Sequence, residues 1–186
     1  DAPDPLADGP VISDAAVTAF LTDPGYPPYP ADAAVEVCPE RLADVAKRRQ
    51  LLAKVMRGVV AAVECRDAAR ARFFVHAEPG LLALLLYGAV RLLPPAWTTD
   101  LTFTTFEPAH RNLREYKLAR VVGTFHGNPT RPLDPDLLAT RGIGLNTFLP
   151  DDPTKSSAEF RPPPTEYDDL LDLAAADEWG LVDRVH

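Results

Sequence analysis

The stretch from Arg72 to Phe106, RFFVHAEPGLLALLLYGAVRLLPPAWTTDLTFTTF, restricts the fold more than any other part of the chain. Phe73-Phe74-Val75 is the aromatic and β-branched composition that suits a pleated, buried surface. Glu78-Pro79-Gly80 then ends the strand and opens a helix. Proline is tolerated in a first helical turn because its missing N–H would have no partner there, and Glu78 complements the helix dipole. Between Leu81 and Leu93 the one charged residue is Arg91, near the C-terminal end where a cation is favoured. Apolar residues occupy every phase of the turn, which predicts a helix buried on most sides. Each fully buried Leu contributes about 1.5–3 kcal/mol, so the leucines between Leu81 and Leu86 dominate the local energetics. A membrane span needs about 20 apolar residues, and this run is shorter before Arg91 and Pro94 end it. Pro94-Pro95 cannot donate to the carbonyls behind it and stops the helix. Leu101, Phe103 and Thr105 then alternate with Thr102, Thr104 and Phe106 across a second strand. Strand 72–77, helix 80–93 and strand 101–106 make a βαβ unit of about 35 residues, with parallel strands, both in the core.

The flanks supply the rest of an α/β fold. Ser13 is an N-cap for a short helix whose apolar face is Val17, Phe20 and Leu21. The run Pro24–Pro30 is a surface loop, with a polyproline-II ligand as the alternative. A longer helix opens near Cys38-Pro39-Glu40 and runs to about Cys65. Leu42, Val45, Leu52, Val55, Met56, Val59 and Val63 form its stripe. Gly58 costs about 1 kcal/mol against Ala inside a helix, which points to a kink or to close packing. Ala109–Lys117 reads as a loop or short helical excursion, Leu118–Phe125 as a third strand, and His126–Pro129 as a turn. Pro135–Ala139 makes a helical turn or two, and Ile143–Phe148 is a weaker fourth strand whose glycine suggests an edge or a bulge. Thr165–Asp168 starts a last helix with Leu170, Leu171, Leu173 and Ala174 on one face, which Gly180 ends. The expected fold is therefore a small, mainly parallel or mixed sheet of about four strands around the βαβ core, with flanking helices. Residues 1–12 are a linker, 13–149 the α/β domain and 150–164 a proline-rich linker. Residues 165–186 form a C-terminal helix that packs on the domain or leads to a next one.

Charge is distributed unevenly. Residues 1–40 hold eight acidic groups and no Lys or Arg, residues 41–72 carry a net +6, residues 73–131 a net +2 and residues 132–186 a net −8. Acidic flanks around one basic segment suggest internal charge complementarity, or a partner that reads the basic segment. Lys47, Arg48, Arg49, Lys54 and Arg57 lie off the apolar stripe of the long helix. They form either a partner-binding face for a phosphate or an acidic surface, or a solvated face that offsets the acidic flanks. No aromatic residues interleave them, which disfavours nucleic acid as a partner. Cys38 and Cys65 form no CxxC or Cys/His cluster and read as ordinary thiols in a reducing cytoplasm. No secretory leader is apparent. A start at Asp1 without Met suggests a fragment of a longer protein or a processed product.

No catalytic motif emerges. The histidines are His76, His110, His126 and His186. Were the first and third strands neighbours, His76, Glu78, Glu107 and His126 would meet at one sheet edge, where ligands of α/β folds often bind. A nucleotide- or metal-binding enzyme site there is the alternative function. No HxH or HExxH spacing supports a metal, and no cofactor is expected. The lone GxG at Gly142–Gly144 precedes a strand, which is the wrong context for phosphate binding. The threonines of the second strand are explained by β-propensity without a nucleophile's role.

The segment LLALLLYGAVRLLPPAWTTDLTFTTFEP followed by RVVGT resembles the middle module of bacterial GTPase-associated proteins. Those are large multidomain polypeptides encoded beside GTPase genes in predicted conflict or signalling systems. The likeness rests on the apolar helix, the Leu-Pro-Pro-x-Trp stop, the Leu-Thr-Phe-Thr-Thr strand and the Val-Val-Gly-Thr strand, and covers residues 70–125 best. It implies a cytoplasmic, non-catalytic interaction or adaptor domain that works with a GTPase and with other domains of its own polypeptide. It brings no active-site residues with it.

Overall fold

A computed structural model describes residues 12–24, 44–67, 71–107, 119–124, 138, 141–147 and 165–186. Several expected features lie outside the described residues. These are the linker 1–12 but for Ile12, the proline run beyond Pro24, residues 38–43, the loop at 109–117 and the turn at 126–129. The helical turns at 135–139, Leu138 apart, and the linker 150–164 lie outside them as well.

The chain runs α1 (Asp14–Thr22), α2 (Val45–Glu64), β1 (Arg72–His76), α3 (Pro79–Leu92), the single turn α4 (Pro95–Thr98) and β2 (Phe103–Glu107). It continues through β3 (Val121–Thr124), β4 (Gly142–Asn146), a 3₁₀ turn (Glu166–Asp169), α5 (Leu170–Ala175) and α6 (Trp179–Val185). The four strands form one all-parallel sheet in the order β2-β3-β1-β4. β1 and β2 are parallel, as the βαβ pattern requires, but β3 lies between them, so the crossover through α3 steps over a strand.

Side-chain alternation divides the sheet. Phe73 and Val75 of β1, Val121 of β3 and Leu145 of β4 point to one face and join a core with Val17, Phe20 and Leu21 of α1. Leu52, Val55, Met56 and Val59 of α2 belong to it too, with Leu81, Leu82, Leu85, Leu86 and Leu92 of α3. Phe74, His76, Val122 and Thr124 point to the opposite face and are also buried. Close approach between layers is enforced by glycine: a Cβ on Gly58 of α2 would collide with the Phe73 ring, and one on Gly123 with Leu82 of α3 and the Thr105 carbonyl.

Ser13 caps α1 as its residue type predicts, whereas the long helix α2 opens at Val45, after the extended N-cap Asp44, and not near Cys38-Pro39-Glu40. Ser13 Oγ accepts from Ala16 N–H at 3.2 Å, Asp44 Oδ1 from Lys47 N–H at 2.8 Å, and Glu78 Oε2 from Leu81 N–H at 2.9 Å. Two further expectations are corrected. Phe103 is 53% exposed, because β2 is an edge strand and not a second core strand. Gly180 does not end the last helix but lies inside α6. The break comes earlier, at Asp177, whose φ of 59° is left-handed. There the N–H groups of Glu178 and Asp177 donate to the carbonyls of Leu173 (2.9 Å) and Ala174 (3.2 Å), a Schellman closure that Asp can adopt in place of Gly.

Leu170, Leu171, Ala174, Trp179 and Val182 enter the common core. Trp179 Nε1–H donates to Thr18 Oγ1 at 3.0 Å, and Arg91 lies 5.5 Å above its ring.

Candidate functional site

All strands being parallel, their carboxyl ends share one edge. Register places Glu107, Thr124, His76 and Asn146 in a single row across β2, β3, β1 and β4. The first and third strands are indeed neighbours, so His76 and Glu107 reach the same edge, two strand spacings or roughly 10 Å apart. Glu78 stands beside them as the cap of α3. His126 lies outside the described residues.

His76 is fully buried. Its Nδ1 lies 2.9 Å from the Thr124 carbonyl oxygen, an acceptor, so Nδ1 carries the proton and donates. The His76 carbonyl accepts from Thr147 N–H at 2.9 Å and from Thr147 Oγ1–H at 3.0 Å. Thr124, Asn146 and Thr147 are buried polar members of this row that a search for histidines and carboxylates passes over. Their signal is nonetheless visible: a polar residue closing each short apolar run, in VVGT and in IGLNT. Among the described residues, no group of three or more His, Cys, Asp or Glu is placed to hold a metal ion.

The cations of α2 do not form one solvated face. Arg48 is 1% exposed; its Nη2 donates to the Asp23 carbonyl at 2.6 Å, and its guanidinium lies 5.7 Å from the Phe20 ring centroid. That places a charge at the C-terminus of α1, where the dipole favours it. Arg57 forms a two-pronged pair with Asp168, Nε donating at 3.3 Å and Nη2 to the other oxygen. Arg49 donates to Asp172 Oδ1 at 2.8 Å, and the exposed Lys47 pairs with Asp44 at 3.8 Å. Lys54 is half-buried and engaged within the chain. Two of these pairs join the basic segment 41–72 to the acidic segment 132–186. A third bridge, from Arg91, ties Asp14 (3.0 Å) to Asp183 (2.8 Å).

The carboxyl of Asp14 is held below its ordinary range, first by the Arg91 hydrogen bond, against burial and with help from the Tyr87 hydroxyl. For Asp168 burial acts upward, but hydrogen bonds from Arg57 and Thr165 outweigh it and lower the value. Cys65 is a free, half-buried thiol, and Cys38 lies outside the described residues. Among the described residues no helix is long and apolar enough to cross a membrane.

An all-parallel, four-stranded sheet with its described helices gathered over one face defines an α/β domain. The chain belongs to the family of the GTPase-associated protein 1 middle domain, whose model matches residues 38–139, more than half of the 186 residues. That match spans α2, β1, α3, β2 and β3; α1, β4 and the C-terminal helices lie outside it. No curated protein matches the chain, and no solved structure does.

Proposed function

We propose that the chain is a non-catalytic interaction domain, an adaptor within a larger multidomain bacterial protein that works with a GTPase in the cytoplasm. The family's name supports the GTPase partner. The observation that carries the non-catalytic part is how the chemistry-bearing side chains are used. His76 donates to a neighbouring strand, Glu78 caps α3, and Arg48, Arg49 and Arg57 bind other parts of the same chain. Groups so committed hold a fold together. The test is co-purification of the full-length protein from its own cells: a GTPase encoded beside its gene is expected among the captured proteins. Its consistent absence, with the bait intact, would overturn the proposal.

One observation favours a second reading, a nucleotide- or metal-binding enzyme domain. His76 and Glu107 do share the carboxyl edge of a parallel sheet, where α/β enzymes gather ligands. Alanine at His76, Glu107 and His126 separates the two. The adaptor retains partner capture in every variant that folds, whereas the enzyme loses the activity of the parent system.

A further inference from the structure

Residues 165–186 add no strand to the sheet, and among the described residues their backbone–backbone hydrogen bonds are all internal to them. Side chains make the joint to the rest of the domain. Leu170, Leu171, Ala174, Trp179 and Val182 enter the common core, with α5 packing against α1 and α3. Around that apolar stripe Asp168 pairs with Arg57, Asp172 with Arg49 and Asp183 with Arg91. Thr18 Oγ1–H of α1 donates to the Ala174 carbonyl at 3.0 Å. The segment carries seven acidic residues and one Arg, so it meets the body as an acidic amphipathic unit.

Seat and occupant divide along the family boundary. Arg49, Arg57 and Arg91 lie on α2 and α3, inside the matched residues 38–139, whereas Asp168, Asp172 and Asp183 all lie outside them. The matched unit thus presents an apolar face with three guanidinium groups around it, and its cover comes from elsewhere in the chain. The Asp172 and Asp183 side chains are 76% and 56% exposed, so water and salt screen two of the three pairs. At six and seven residues, α5 and α6 are too short to stand alone in water and keep their form only while seated. Lifting them off breaks side-chain contacts and no backbone ladder, which is the character of a locally opening unit.

We propose that residues 165–186 are a displaceable strap, and that the seat beneath them on α1, α2 and α3 receives an acidic amphipathic helix of a partner protein in their place. The strap is then an autoinhibitory contact, and the arginines that hold it select the incoming helix. The inference stands on the joint itself and does not depend on the partner being a GTPase.

The test titrates a fluorescently labelled peptide of residues 165–186 against the whole chain, read by anisotropy. A tethered strap competes at an effective concentration on the order of millimolar, so the wild type is expected to take up the peptide weakly. Asp168→Asn combined with Asp172→Asn loosens the strap and leaves the seat arginines intact. It is expected to tighten peptide binding about 10-fold, a gain that Arg49→Gln and Arg57→Gln remove and that about 0.5 M NaCl diminishes. Hydrogen exchange in the wild type covers the case in which the variants fail to fold. Amides of α5 and α6 are expected to exchange about 10-fold or more faster than those of α3, with the gap widening in salt. Exchange of all three helices in step, a scrambled peptide bound as tightly, or equal peptide binding by wild type and strap variant would overturn the proposal. A concentration-dependent dimer of the strap variant that excludes the peptide would make a second copy the occupant, and would overturn it too.

Discussion

At Gly58 a residue that looks weak within its own helix is required by its neighbour. Glycine costs α2 about 1 kcal/mol of helix propensity, yet a methyl group there would run into the Phe73 ring of β1. Gly58→Ala is therefore expected to lower stability by about 1–2 kcal/mol, overpacking exceeding the propensity gain; a higher urea midpoint would contradict this. The oddity of Gly58 was legible in the sequence, but not the ring it makes room for, since the partner comes from another element. Asp14 illustrates the same limit with charge. It is a helix's first residue in sequence, while its bond to Arg91 arises only when α3 packs on α1. Its carboxyl and that of Asp168 titrate below the ordinary value of 3.8 in the folded chain. Their stabilisation is thus present above that value and is lost as pH falls through it toward the folded pKa. Unfolding midpoints from about pH 5 to pH 3 should fall less steeply for Asp14→Asn than for the wild type. Equal slopes would show that the bridge contributes nothing.

Among the elements, the buried helix α3 governs the core. Leu85 is buried in the common core, so Leu85→Ala is expected to cost about 2–5 kcal/mol. A loss under about 1 kcal/mol by chemical denaturation would mean that the helix is not core. Existence and type of elements were readable where periodicity was strong, as in α2, where a long apolar run was bounded by prolines, as in α3, and where a cap was explicit, as at Ser13. Pairing order was not, because β1, β3 and β4 are short apolar runs of similar character. Nothing in Leu101–Phe106 tells an edge strand from a central one, so the exposure of Phe103 follows from β3 entering between β1 and β2. The break at Asp177 was missed for a related reason: glycine is the usual signal of a left-handed cap, and here Asp fills it while Gly180 continues a helix.

At the scale of the molecule, two ion pairs among the described residues join the basic segment to the acidic C-terminal one. Arg49 and Arg57 from the basic segment meet Asp172 and Asp168 from the acidic C-terminal one, which secures helices whose apolar faces already enter the common core. The shared edge of His76 and Glu107 was foreseeable only on the condition that the first and third strands are neighbours. The buried Thr124, Asn146 and Thr147 between and beside them depend on register, which no local pattern specifies. The proposed role as a domain that binds a GTPase is tested by calorimetric titration. The full-length protein would be titrated with the GTPase encoded beside it, loaded with GDP or with a non-hydrolysable GTP analogue. Saturable binding to at least one nucleotide state is predicted. A folded protein that takes up neither form would overturn that role.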